Sequence, residues 1–106
     1  MHSIEEEIDA HAYDPDEFLM RAKELAKEAY NADISKRGLA MKHRISVDQV
    51  YVVWFSKTLQ HWKALLSTTV VEDTAYIEVT HNGLASESYV DLYRKRSNTV
   101  VPDDET

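Results

Sequence analysis

The sequence predicts an α+β domain in which helices lie on one face of a small antiparallel sheet. Three observations predict this fold class. A helix-start signal at Asp14 precedes an apolar stripe with helical spacing. Three runs rich in β-branched and aromatic residues follow it, at 50–55, 64–71 and 75–80. A chain of 106 residues, 43% of them hydrophobic, can bury one core, so we expect a single domain.

The predicted helix begins at Asp14, whose side chain can cap it. Pro15 occupies the first turn, and Glu17 takes the capping-box position three residues after the cap. Apolar residues then recur at three- and four-residue spacing on one side: Phe18, Ala22, Leu25, Ala26 and Ala29. We predict about four turns that end near Asn31, followed by a loop that contains Gly38.

The three strands are predicted to form an antiparallel meander. A four-residue loop joins the first two strands, and a tight turn at Glu72 and Asp73 joins the second to the third. The alternative is a longer second loop, because Glu-Asp is a poor tight-turn pair. This register puts a nearly continuous apolar set beneath the helix: Tyr51, Val53, Phe55, Leu66, Thr68, Val70, Ala75, Ile77 and Val79. Because Phe55 is then a core residue, we expect Phe55→Ala to destabilise the fold by about 3 to 5 kcal/mol. Trp62 falls in the hairpin loop.

The same register leaves a mixed set of residues on the other face of the sheet: Val52, Trp54, Ser56, Leu65, Ser67, Thr69, Tyr76, Glu78 and Thr80. A large aromatic side chain among apolar and hydroxyl neighbours is typical of an interface centre with a polar rim. We therefore predict a partner-binding surface made of Val52, Trp54, Ser56, Leu65 and Tyr76. Its partner is another protein or, in a homodimer, a second copy. The alternative is that a loop or the N-terminal segment covers this face.

The residues after Gly83 carry two competing patterns. Ser86 as a cap, Tyr89 and Leu92 on one side and basic residues in the last turn predict a short C-terminal helix. The alternative is a fourth strand with Val90 and Leu92 pointing inward, because the Asn-Gly pair that ends at Gly83 is also a hairpin signal.

The formal net charge of −7 is distributed in blocks. Residues 1–20 hold seven acids and no Lys or Arg, residues 21–63 hold nine bases against four acids, and residues 64–106 hold eight acids against three bases. The organisation we predict is an acidic flexible segment over 1–13, one α+β domain over 14–98 and a flexible acidic tail over 99–106. No cysteine, basic leader or long apolar run occurs, so we expect a cytoplasmic protein without membrane contact.

Candidate catalytic and metal-binding residues do not form a recognisable set. The five histidines, at 2, 11, 43, 61 and 81, lack the spacing of a helical zinc motif. Asp14 and Asp16 begin like a calcium loop, but no glycine or closing glutamate follows at the required offsets. Ser56, Lys57 and His61 are close in sequence without a sign of an oxyanion site. We therefore expect no enzymatic activity, no metal and no cofactor.

Three blocks of the sequence resemble small phage and prophage proteins of Gram-positive bacteria that are grouped as a domain of unknown function. They are the block from Val52 to Thr69, the His-Asn-Gly turn that ends at Gly83, and the block from Tyr89 to Lys95. The likeness covers roughly residues 46–96. It implies a phage gene product that acts in the host cytoplasm, and it implies no activity for any residue.

The expected function is therefore that of a non-enzymatic phage or prophage accessory protein that works by protein–protein interaction. The alternative is a nucleic-acid-related role, by acidic mimicry or by binding through two basic clusters. These clusters are Lys36, Arg37, Lys42 and Arg44, and Arg94, Lys95 and Arg96. The overall acidity of the chain argues against direct nucleic-acid binding, since a basic face supplies most of its affinity.

Overall fold

A computed structural model describes residues 14–104, which form one long helix and a four-stranded antiparallel sheet. The elements are α1 (Pro15–Lys36), β1 (Val50–Thr58), β2 (His61–Thr68), β3 (Ala75–Asn82) and β4 (Glu87–Arg94). The strand order is β1-β2-β3-β4, so every strand pairs with its neighbour in the chain. The predicted α+β class is confirmed. The predicted segment 1–13 lies outside the described residues.

The start of α1 is the one that the sequence predicts. The Asp14 carboxylate accepts a hydrogen bond from the Glu17 backbone N–H at 2.8 Å, and Pro15 is the first helical residue. The Glu17 carboxylate accepts in return from the Asp14 N–H at 3.4 Å. This reciprocal pair satisfies two backbone donors that a helix start otherwise leaves without partners.

The end of α1 differs from the prediction, because the helix continues past Asn31 to Lys36. Tyr30 and Ile34 extend the buried stripe by one more turn, so burial favours continued helix. Gly38 ends it with a φ of 73°, a left-handed conformation that glycine adopts without strain.

The predicted C-terminal helix is wrong, and the fourth-strand alternative is correct. Residues 87–94 form β4, in which Leu92 lies opposite Ile77 and Val90 lies opposite Val79. Val90 and Leu92 are half-buried against the core. The alternation of inward and outward residues prevails over the helical pattern because each inward side chain gains a cross-strand neighbour.

The first predicted strand connection differs from the structure, and the second is the longer alternative loop. A two-residue turn, with Leu59 at a φ of 57°, joins β1 to β2 in place of a four-residue loop. Trp62 consequently lies inside β2, opposite Lys57. A short 3₁₀ turn at Val71–Asp73 replaces the tight turn between β2 and β3, so that Leu66 pairs with Ile77.

A β-bulge in β1 changes which residues face the helix. The pairing with β2 shifts between Val52 and Trp54, which leaves Val53 as the extra residue. Before the bulge, Val52 faces the core and Tyr51 faces away; after it, Trp54 faces away and Phe55 lies on the helix side. The prediction is therefore correct for Trp54 and wrong for Tyr51, Val52 and Val53, and Val53 is 45% exposed.

The core lies between α1 and one face of the sheet, which we call the covered face. Its buried hydrophobic residues are Phe18, Ala22, Ala26, Tyr30, Ile34, Ile45, Val50, Trp62, Ala64, Leu66, Ala75, Ile77 and Val79. The Phe18 and Trp62 rings stack with centroids 5.4 Å apart. The predicted burial of Leu66, Ile77 and Val79 is confirmed. That of Phe55 is wrong, since its side chain is 40% exposed on the edge strand.

Candidate protein-interaction face

The sheet surface opposite α1, which we call the open face, carries five large aromatic side chains. They are Tyr51, Trp54, Tyr76, Tyr89 and Tyr93, each between 41% and 51% exposed. The one α-helix among residues 14–104 packs on the other side of the sheet. An aromatic surface of this kind is unusual for a sheet face that meets only solvent.

Strand alternation places these side chains in rows across the sheet. Tyr76 lies opposite Tyr93, and four residues along the strands Thr80 lies opposite Tyr89, with the Glu78–Asp91 pair between them. On β1, Trp54 lies opposite Leu65. Side chains of adjacent pairs on one face lie within reach of each other, so the tyrosines and the carboxylate pair between them belong to one surface.

The charged groups of the open face are mainly acidic: Glu78, Glu87 and Asp91, with Lys63 as the counterion. The Lys63 ammonium lies 3.5 Å from the Glu78 carboxylate. Asp91, opposite Glu78 on β4, has no cationic partner among residues 14–104. The negative charge of Glu78 raises the pKa of the Tyr93 phenol above its ordinary value, and partial burial and Asp91 add to the effect.

Four of the five predicted partner-binding residues share the open face. Trp54, Ser56, Leu65 and Tyr76 all point away from α1. Val52 does not, because it precedes the bulge and packs against the core.

Three aromatic residues of the open face are missing from the sequence prediction. Tyr89 and Tyr93 are missing because the sequence pattern predicts a helix over the segment that forms β4. The alternation of Tyr89, Asp91 and Tyr93 with two aliphatic residues is the signal that favours a strand. Tyr51 is missing because the bulge reverses the register, and no residue type in that stretch indicates a bulge.

The two predicted basic clusters lie at one end of the molecule, where α1 ends and β4 ends. The structure links them through Asp73, which accepts from Arg37 at 3.1 Å and from Arg94 at 2.5 Å. Arg94 also contacts Asp33 at 2.5 Å. The remaining predicted nucleic-acid-binding residues are Lys36, Lys42, Arg44, Lys95 and Arg96, all exposed.

This ion-pair network joins the end of α1, the turn before β3 and the end of β4, so its role is structural. Burial by itself raises the pKa of Asp73, but hydrogen bonds from Arg37 and Tyr30 and the charge of Arg94 outweigh it and hold that pKa below its usual range. The Tyr30 hydroxyl donates to Asp73 at 3.0 Å. Arg37 and Arg94 thus form ion pairs with aspartates of the same chain, which reduces the positive charge that the basic end offers to a phosphate.

The polar residues considered for chemistry are dispersed. Ser56 lies on the open face, whereas Lys57 lies on the covered face, with its ammonium 5.3 Å from the Trp62 ring centroid. His81 lies in the core, where burial and, secondarily, the charge of His61 lower its pKa. Within residues 14–104 no three His, Asp or Glu side chains gather as a metal site requires. His2 and His11 lie outside the described residues.

A family model matches residues 19–103, a range that includes most of α1 and all four strands. The chain belongs to the DUF6275 family. This is a family of unknown function, and its match contains the whole open face. No curated protein and no solved structure shows a significant match to the chain. None of the described residues of this DUF6275 protein forms a helix long and apolar enough to cross a membrane.

Proposed function

We propose that this DUF6275 protein is a non-enzymatic binding protein that contacts another protein through the open face. The observation that carries the proposal is the set of five half-exposed aromatic side chains on a sheet face opposite the only described α-helix. Tyr and Trp are enriched at the centres of protein interfaces, where they contribute large contact areas at low conformational cost. The resemblance to phage and prophage proteins supports an accessory role in the host cytoplasm.

The open face suits a protein better than a nucleic acid. Exposed aromatic rings on a sheet can stack on unpaired bases, but such surfaces also need positive charge along the phosphate path. Here three carboxylates and one lysine share the face with the rings. The basic residues lie at the end of the sheet, and Arg37 and Arg94 are paired with aspartates.

The test is capture from a bacterial host lysate on immobilised wild-type protein and on Trp54→Ser. We expect Trp54→Ser to fold normally and to lose at least about thirtyfold in partner affinity, because truncating an interface anchor commonly costs about 2 kcal/mol or more. Light scattering of both proteins shows whether the partner is a second copy. The control is Met20→Ser, which removes an apolar side chain from the surface of α1 that is 70% exposed, against 44% for Trp54.

Two results would contradict the proposal. One is a captured partner that binds Trp54→Ser as well as it binds the wild type. The other is captured material that nuclease releases and that Lys95→Gln with Arg96→Gln no longer retains, which would favour the nucleic-acid alternative.

A further inference from the structure

Two carboxylates lie directly opposite each other at the centre of the aromatic part of the open face. Glu78 on β3 and Asp91 on β4 are Cα partners in the antiparallel ladder. The adjacent pair on one side is Tyr76 and Tyr93, and the adjacent pair on the other side includes Tyr89. Successive same-face residues of a strand lie roughly 7 Å apart, so rings flank the two carboxylates on both sides.

This arrangement is unfavourable for the isolated fold. Like charges directly opposite each other destabilise an antiparallel sheet. Lys63 compensates Glu78, with 3.5 Å between ammonium and carboxylate, and the Tyr93 hydroxyl also donates to Glu78 at 3.5 Å. Asp91 has no such compensation among the described residues. The exposed carboxylate of Asp91 can therefore pair with a cationic group from outside the molecule.

The charges also decide among the possible occupants of the face. Two copies placed face to face would bring six carboxylates together with two lysines, which opposes a homodimer through this surface. A nucleic acid would meet the same repulsion. A protein surface with arginine or lysine side chains would be attracted, because carboxylates pair with a guanidinium and tyrosine rings stack on it.

We infer that the partner bound by the open face presents a cationic surface that places an arginine side chain over the Glu78–Asp91 pair. The inference rests on the proposed function and specifies the chemistry of the partner. The guanidinium would donate charge-assisted hydrogen bonds to the carboxylates and would make ring contacts with Tyr76 and Tyr93. Trp54 and Leu65, in the same row across the sheet, would supply the apolar part of the contact.

The test uses synthetic peptides of about ten residues, the length that spans a strand. In one peptide arginine alternates with threonine, and in matched peptides glutamine or glutamate replaces the arginine. Titration of isotope-labelled protein, followed by NMR, gives both the affinity and the residues affected. We expect the arginine peptide to bind at least about tenfold more tightly than the glutamine peptide and to shift signals of β3 and β4 on the open face. The affinity should fall when NaCl rises from about 0.05 M to about 0.3 M.

Variants with matched changes in charge locate the effect. Glu78→Gln with Asp91→Asn should weaken binding of the arginine peptide by about tenfold or more and should leave the melting temperature unchanged or slightly raised. Glu28→Gln with Asp48→Asn changes the net charge equally at exposed positions on α1 and before β1. This control should bind the arginine peptide like the wild type.

Three results would overturn the inference: equal binding of the arginine and glutamine peptides, equal weakening by both variant pairs, or dimerisation of the chain through Trp54. The first two leave the proposed function intact if Trp54→Ser still loses the partner captured from the lysate. If Trp54→Ser keeps that partner while the arginine peptide binds as expected, the proposed function fails and the inference remains only as a property of the face.

Discussion

The two faces of this sheet are built from the same strands and have opposite properties. Each tryptophan represents one of them. Trp62 on β2 is 2% exposed and stacks on Phe18 of α1, whereas Trp54 on β1 is 44% exposed on the open face. Because successive strand residues alternate between faces, neighbouring positions can be selected for stability and for binding independently. The difference teaches that residue type alone does not distinguish an anchor of the fold from an anchor for a partner.

The largest expected difference is between alanine substitutions of the two tryptophans. Trp62→Ala leaves a cavity beneath α1 and should lower the free energy of unfolding by about 3 to 5 kcal/mol. Trp54→Ala removes a side chain of the open face, which no described helix covers. It should lower the free energy of unfolding by less than about 1 kcal/mol. Urea unfolding followed by circular dichroism measures both. Equal losses in the free energy of unfolding would mean that another part of the molecule covers the open face. The two faces would then not differ in burial.

A smaller loss of stability is expected for substitution of Phe55, which lies on the covered face but on the edge strand β1. Its ring stacks on Trp62 with centroids 6.3 Å apart, yet the side chain stays 40% exposed. Burying a phenylalanine completely contributes about 1.5 to 3 kcal/mol, so partial burial predicts a loss of about 1 to 2 kcal/mol for Phe55→Ala. Urea unfolding measures it beside Leu66→Ala, a fully buried control expected to lose about 2 to 5 kcal/mol. A loss for Phe55→Ala as large as that control would restore the original expectation of a core residue.

The sequence predicts most of the covered face, because burial leaves strong periodic patterns. The capping box at Asp14, the stripe from Phe18 and the alternation around Ile77 each indicate their element correctly. In β4, helix and strand patterns compete over only eight residues, and the pairing of Val90 and Leu92 with β3 decides between them. Such a long-range contact cannot be recognised from a short segment.

The open face is harder to predict, since its composition depends on register. The bulge at Val53 exchanges the faces of Tyr51 and Val52 without a glycine or other residue that indicates it. Trp54 lies after the bulge and is placed correctly, although the predicted pairing with β2 is shifted. The sequence therefore predicts Trp54, Leu65 and Tyr76 on the open face. It does not predict the tyrosines of the two edge strands, which are Tyr51 on β1 and Tyr89 and Tyr93 on β4.

The smallest predicted effect concerns two histidines on opposite faces, and it is measured as a pH dependence. His81 lies on the covered face, 7% exposed, with its Nδ1 atom 3.1 Å from the Ser88 hydroxyl. His61 precedes Trp62 on β2 and so belongs to the opposite side of the sheet. Burial lowers the pKa of His81 in the folded protein, and the charge of His61 adds to the shift.

The sign of the effect follows from where the protons bind. In the unfolded chain His81 takes up a proton near pH 6.5, whereas in the folded protein it does so only at lower pH. The stability contributed by neutral His81 is therefore complete above about pH 6.5 and is lost as the pH falls through the folded-state pKa. Urea unfolding at several pH values from about 7 to about 5 should show a flatter profile for His81→Gln than for the wild type. His61→Gln removes only the secondary cause of the shift and should flatten the profile less. If His61→Gln flattens it as much as His81→Gln, repulsion between the two histidines, and not burial on the covered face, is what makes the fold sensitive to acid.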